Sequence, residues 1–436
     1  MRVHVIGAGP TGMSVAWELL RSTDHEVIIY DRKESAGGSW WEPKGPKRDL
    51  HAHRIVFDNA FVNTNSLFEE MGISWDDMFQ PADTRVYTTV LKYFNLKDYT
   101  ALASLATRVL SQPDKYRKIP LKNALGKLSE RGEKILQVLP LIIDGVDWET
   151  MSAFEFVKSF DNVGLSRQYT QKVSGREMSE KMQSALLEKG AKFMFNTELE
   201  KVKYKGDTYK AFFTNKSVIN DGLLILCVDN SKALKLIGEN WGKEAYKKIG
   251  NSTYGCINIL LDYDIPVYLP KTDIEYAVET EFNIQPVVLS DNKTVSCVIC
   301  NLTDEVLSCD PETLKRKVIE QLQLPKPKDV RIGWGVNWVD GKWVFEQSSG
   351  VLSLHGQVPF YGKCSKVALC GMMSERKTPY SSIEAAIEVG RTFCHEEFKT
   401  RPSLHPILIQ LVSECFFIHF IMSLIHFTPV LLAPKH

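Results

Sequence analysis

The residues with the most chemical content stand at the start of the chain. Val3-His4-Val5-Ile6 leads into Gly7-Ala8-Gly9-Pro10-Thr11-Gly12, and Asp31 follows nineteen positions after the last glycine. A G-x-G-x-x-G run between an apolar strand and a helix, with an acid at the end of the next strand, is the pattern that grips a dinucleotide. Gly7 allows a tight turn, Gly9 lets backbone approach a pyrophosphate, and Gly12 lets helix and strand pack closely. The helix that follows Pro10, Thr11 and Gly12 turns its free N–H groups and positive dipole end toward phosphate. Asp31, with Arg32 beside it, can accept hydrogen bonds from an adenosine ribose. Further on, Gly37-Gly38-Ser39-Trp40 gives the backbone room to run beside a long ligand. His51 and His53 have a different chemistry. On a strand their spacing puts both imidazoles on one face, where they could act as acid or base near neutral pH. They fit equally well as plain polar residues near the glycine loop, and a metal would need a third ligand that the sequence does not mark.

These groups need elements to hold them. The spacing predicts a strand over residues 3–6, a helix from Met13 to Leu20 and a strand from Glu26 to Tyr30. Residues 85–170 read as mainly helical, with apolar recurrence at Leu102–Leu110, Leu121–Leu128 and Phe154–Phe160. Residues 240–355 read as strand-rich, on the β-branched runs at 257–261 and 294–300. Asp310 to Leu322 has the form of a helix with proline in its first turn. Trp334, Trp338 and Trp343 are expected to fill a sheet rather than to line a cavity.

Composition bounds the function. The chain has 436 residues, 44% hydrophobic and 24% charged, enough for two or three domains with their own cores. Fifty-three basic residues balance fifty-three acidic ones, and no basic block stands out, so nucleic acid is not an expected partner. Nine cysteines are scattered, which fits a reducing, cytoplasmic setting. The close pair Cys297 and Cys300 reads as core. The fingerprint begins so early that no cleaved leader is expected. Cys415 to Leu432 lacks any fixed charge and reaches the lower length limit of a spanning helix. The tail 402–436 therefore reads as a membrane anchor, an interfacial helix or a helix packed on protein.

The chain resembles the flavoprotein superfamily of amine oxidases, phytoene and carotene desaturases and protoporphyrinogen oxidase. That superfamily opens with the glycine fingerprint, an acid and Gly-Gly, as here at Gly7–Gly12, Asp31 and Gly37-Gly38. Later segments match in order: residues 50–72; the helix from Ser174; Asn196–Val202; Asp221–Asp229; Val367–Met372; and Ser382–Arg391. The resemblance implies an α/β fold, with a Rossmann-like FAD-binding domain from residues 1–80, 175–235 and 360–395. A discontinuous α+β substrate domain would come from 81–174 and 236–359. It implies FAD as cofactor, with Leu199 at the adenine, Gly371 and Met372 near the ribityl or phosphate region, and the helix from Ser382 and Ile383 pointing at the flavin pyrimidine. His51 and His53 would then line the flavin cavity.

Departures from the pattern narrow the activity. Ser39 replaces an arginine that contacts phosphate, and Met372 replaces an acid. No lysine occurs from Tyr254 to Leu260, where amine oxidases carry one. Ser382 replaces a tyrosine of their aromatic cage, which orients an amine by its π faces. The implied activity is dehydrogenation or desaturation of a lipophilic small molecule rather than of a plain amine. Gly37-Gly38-Ser39-Trp40 also resembles the Gly-Gly-Thr-Trp of flavin monooxygenases. Those enzymes bind NADPH at a second glycine fingerprint, which is absent here, so oxygen or a quinone is the expected electron acceptor. The same opening occurs in Rab GDP-dissociation inhibitors and escort proteins, which keep the fold and act as binding proteins.

Overall fold

A computed structural model describes residues 1–42, 56–81, 92–163, 167–251, 254–289, 291–345 and 354–404. His51, His53 and the tail from residue 405 lie outside the described residues.

The centre of the fold is a five-stranded, wholly parallel sheet in the order Val367–Leu369, Leu223–Leu226, Arg2–Ile6, Glu26–Tyr30, Lys192–Met194. Sequence-distant strands thus lie side by side, with Val3 opposite both Val27 and Leu223. Alternation sends neighbouring residues to opposite faces. Val3, Val5, Val27, Ile29, Leu223 and Ile225 pack against helices Pro10–Ser22 and Ile383–Phe398. Ile6, Tyr30, Leu224, Leu226, Val367 and Leu369 face the other way. There they meet Leu199, Ala211 and Phe213 of a small antiparallel sheet, and helix Asn230–Ile237. Burial on both faces is why these strands read as unbroken apolar runs rather than as alternating ones.

A second sheet is antiparallel, in the order Gln285–Val288, Thr294–Ile299, Ile257–Asp262, Asp329–Ile332. Helix Pro311–Leu322, which Asp310 caps by accepting the N–H groups of Glu312 and Thr313, packs on it as the sequence predicts. The stretch before it is more mixed than expected. Helix Gly242–Asn251 precedes its first strand, and helices Asp273–Glu279 and Asp304–Ser308 lie between its strands.

The helical region differs from its expectation at one place. Leu121–Leu128 forms a helix only to Ala124, and a longer one follows at Glu130–Asp144. Pro140 inside it, which removes one backbone hydrogen bond, and Gly132 both disguise it in the sequence. Tertiary contacts override them. Ser129 caps the helix by accepting the Gly132 N–H, and Asp98 in turn accepts from the Ser129 N–H and hydroxyl. Asp98 thereby ties this helix to Leu96–Ser111. Among the described residues, no helix is long and apolar enough to cross a membrane.

Candidate active site

The carboxyl ends of the parallel strands open into one cavity of about 570 Å³ that continues to the second sheet. This is where open α/β sheets place ligands.

Two glycine loops form one end. Gly7 has φ +107°, and a Cβ there would lie 2.2 Å from the Cys227 carbonyl oxygen. The Gly37 N–H donates to the Ala8 carbonyl at 2.9 Å, pinning the Gly-Gly pair to the fingerprint. Gly38 and Gly9 then meet back to back: a Cβ on Gly38 would lie 2.7 Å from the Gly9 Cα. Helix Pro10–Ser22 begins just there, with Pro10 in its first turn, no acid in that turn and no side chain capping its first N–H groups. Proline suits the first helical position because its missing N–H costs nothing there. An uncapped helix start at a backbone-only surface is the arrangement that accepts phosphate oxygens. Gly7, Gly9, Pro10, Thr11, Gly38, Ser39 and Trp40 all line the cavity. Gly12 and Gly37 stand behind it. A Cβ on Gly12 would sit 2.0 Å from the Gly7 carbonyl oxygen, and one on Gly37 2.7 Å from the Trp41 nitrogen.

Asp31, Arg32 and Leu199 line the next stretch of wall. Asp31 is already engaged, because its two oxygens accept the backbone N–H groups of Ala8 at 2.7 Å and Lys33 at 2.9 Å. Each oxygen keeps a second lone pair for a hydroxyl. Desolvation nevertheless pushes its pKa up. Glu198 and Lys232, which the sequence did not mark, pair at 2.5 Å beside it and also line the cavity.

Gly371, Met372, Ser382 and Ile383 form the middle. Ser382 caps helix Ile383–Phe398 by accepting the Ala385 N–H at 3.1 Å. Glu384, in the first turn of that helix, turns away from the cavity. It accepts from Asn63 and Thr64, through both backbone N–H groups and both side chains, at 2.7–2.9 Å. It thereby caps helix Val62–Glu70, which has no capping side chain of its own. Burial still pushes its carboxyl up to about 7.

The far end holds groups that sequence reasoning missed. Asp144 ends helix Glu130–Asp144, and Gly145 follows in the left-handed conformation. Its Oδ1 accepts the Ser381 N–H at 2.9 Å, while Oδ2 is buried with no hydrogen-bond partner among the described residues. The Tyr254 hydroxyl lies 3.3 Å from the Ser381 hydroxyl. Burial pushes Asp144 up to about 6, against the hydrogen bonding of Ser381, the positive charge of Arg376 and the nearby Tyr254 hydroxyl. An Asp-Gly at a helix end is a common helix stop, so nothing local distinguishes this one. Only the fold brings it to Ser381, more than two hundred residues away.

Two expectations about the wall divide. Trp338 and Trp343 face each other across strands Val336–Val339 and Lys342–Phe345, so they do fill a sheet. Trp334 lines the cavity instead, packed edge-on against Trp41 at 4.9 Å, with the Lys33 ammonium over both rings. Cys297 is core, but Cys300 lines the cavity. The two are three residues apart on a strand, which puts them on opposite faces.

The raised carboxyl of Asp144 makes a measurable claim. Its folded pKa lies above the ordinary value of 3.8, at about 6. The folded state therefore binds the extra proton between those values, and stability falls as pH rises through that window. One pKa unit is worth about 1.4 kcal/mol, so the loss from this group amounts to roughly 3 kcal/mol. Asp144→Asn keeps the Oδ1 acceptor and removes the charge. It is expected to match the wild type near pH 4 and to be more stable at pH 7, by urea unfolding at each pH. Parallel curves for the two proteins would contradict the assignment.

A parallel sheet, a glycine cradle and a cavity running to an antiparallel sheet define an α/β protein with a Rossmann-like parallel sheet. Residues 5–62 match the model of the NAD(P)-binding Rossmann-like domain family. No curated protein matches the chain in sequence. Solved structures match it over nearly its whole length. A putrescine oxidase aligns with a TM-score of 0.64 at 12% identity, covering 92% of this chain and 99% of its own. An oxidoreductase from Methanosarcina mazei aligns at 0.60 and 14%, covering 89% and 99%. Cyclohexylamine oxidase from Brevibacterium oxydans aligns at 0.59 and 13%, covering 91% and 99%. The chain shares the fold of these proteins.

Proposed function

We propose that the protein is an FAD-dependent oxidoreductase that dehydrogenates a lipophilic small molecule. The observation that carries this reading is a continuous cavity joining the glycine cradle to an apolar wall of Leu141, Ile142, Val298, Trp334 and Phe345. The cradle fits FAD: Gly9 and Gly38 leave no room for side chains, and the helix start beside them is uncapped and free of acids. Residues Gly7, Gly9–Thr11 and Gly38–Trp40 would hold the pyrophosphate, Asp31 and Leu199 the adenosine, and Gly371, Met372 and the Ser382 helix start the flavin half. Bound there, FAD would supply the acceptor for a hydride from a substrate C–H.

The protein's own residues would bind, orient and manage protons. The apolar wall would hold an uncharged substrate and exclude water. Asp144 Oδ2, with its pKa near 6, is positioned to take or return a proton close to neutral pH. Ser382 stands where the resembling amine oxidases have a cage tyrosine, and no lysine occurs from Tyr254 to Leu260, which favours a substrate other than a simple amine. With no second glycine fingerprint in the chain, oxygen or a quinone would reoxidise the cofactor.

Met372, in place of an acid, favours one competing reading: a binding protein that has kept the fold without redox chemistry, as in the Rab inhibitors and escort proteins. The absorption spectrum of the purified full chain separates the two. The expected result is an oxidised-flavin spectrum, directly or after reconstitution with FAD, that bleaches with dithionite. A colourless protein that refuses FAD would leave the binding-protein reading standing.

A further inference from the structure

Two cysteines oppose each other in the cavity wall. Strands Ile257–Asp262 and Thr294–Ile299 run antiparallel, with Ile257 opposite Ile299. Cys256 and Cys300 are the next residues outward, and the same register carries them opposite one another. Directly opposed residues have Cβ atoms about 4.5–5.5 Å apart. A disulfide requires about 3.5–4.5 Å, so a small local adjustment closes the gap. Alternation assigns the faces. Ile257, Ile259, Cys297 and Ile299 go into the core, and Cys256, Val298 and Cys300 go to the cavity. Both residues line the cavity and are partly exposed. Gly145 packs beside Cys300, and a Cβ there would lie 3.6 Å from its sulfur.

We propose that Cys256 and Cys300 are a redox-active dithiol, reversibly oxidised by a small-molecule disulfide to a cross-strand disulfide in the cavity wall. The Cys256 thiolate attacks one sulfur of the disulfide, forming a mixed disulfide and expelling one thiolate. Cys300 then loses its proton to water and attacks the Cys256 sulfur, expelling the second. Two protein thiols and one disulfide become one protein disulfide and two small thiols. The proximity of the two thiols sets the order, because each shifts the other: the Cys256 pKa is pushed down and that of Cys300 up. Closure joins the two strand ends and removes two thiols from the cavity, so it would alter the wall that faces a substrate.

A second contacting pair, Cys227 and Cys370, serves as an internal control. Cys227 lines the cavity, but Cys370 is fully buried, out of reach of an exchanging disulfide. The proposal is independent of the cofactor reading, because its test reads thiol chemistry and not flavin. The full chain is exposed to oxidised glutathione under native conditions and examined by intact mass and peptide mapping. The expected result is a loss of two hydrogens without retained glutathione, a cross-linked peptide joining Cys256 to Cys300, and reversal by dithiothreitol. Cys300→Ser is expected to trap glutathione on Cys256. Cys256→Ser is expected to slow modification of Cys300 by at least about tenfold. If either variant fails to fold, the wild-type map decides alone. Glutathione retained on the wild-type protein, a cross-link at Cys227 and Cys370, or no modification at all would each overturn the proposal.

Discussion

Gly38→Ala is expected to weaken flavin binding by about a hundredfold and to leave the protein folded. Gly38 has φ +57°, and its Cβ would lie 2.7 Å from the Gly9 Cα and 3.4 Å from the Gly9 nitrogen. The obstructing atoms are backbone, so no rotamer change relieves the contact. One of the two glycine loops must move, and both form the surface that would carry the pyrophosphate. The left-handed conformation adds about 1 kcal/mol of strain for alanine. A displacement near 1 Å in a positioned site costs on the order of a hundredfold, so FAD affinity should fall by about that factor, read by titration of the apoprotein. Gly72→Ala separates strain from obstruction. Gly72 has φ +70° with nothing within 4 Å, so it should lose a similar amount of stability and bind FAD normally. Equal affinity in Gly38→Ala and the wild type would mean that the cofactor does not lie across the two loops.

Arg391→Met is expected to produce the largest loss of stability. Arg391 is wholly buried in helix Ile383–Phe398. It donates to Glu18 at 3.1 Å and to Glu70 at 3.0 Å, and so links the closing helix to the first helix and to helix Val62–Glu70. Desolvation pushes its pKa down, yet the two carboxylates hold it charged. Methionine fills much of the volume and leaves Glu18, whose side chain is also fully buried, short of one cation. Breaking a buried pair by removing one partner costs about 3–5 kcal/mol. Arg21 and Arg401 also contact Glu18, which sets the expected loss at the lower end, about 3 kcal/mol. The first transition in urea should move to lower concentration by a corresponding amount. A double variant that also carries Glu18→Gln should recover part of the loss, since it removes the uncompensated charge. Unchanged unfolding of Arg391→Met would show that the network contributes nothing net.

Much of the cradle was legible because its logic is local. Gly7, Gly9 and Gly12 sit within one strand–turn–helix, where a missing side chain in the sequence is a missing side chain in space. The strand Glu26–Tyr30 and the helix capped by Asp310 were legible for the same reason, since period and cap are written in consecutive residues. Helix Glu130–Asp144 was obscured by Pro140 and Gly132, whose propensities oppose a helix that its buried face and the Asp98–Ser129 cap secure. Cys300 was assigned to the core from composition, although the parity of its strand already separated it from Cys297.

From the sequence alone came the glycine cradle and the strands and helix around it, because each rests on residue types at short, regular spacing; the departures at Ser39, Met372 and Ser382 were legible only against the family resemblance. The meeting of Asp144 with Ser381, the facing of Cys256 and Cys300, the tertiary cap by Glu384 and the burial of Arg391 were decided only by the tertiary structure. Each joins residues tens to hundreds of positions apart. Their energies come from desolvation and close approach, and those quantities exist only once the chain has brought them together.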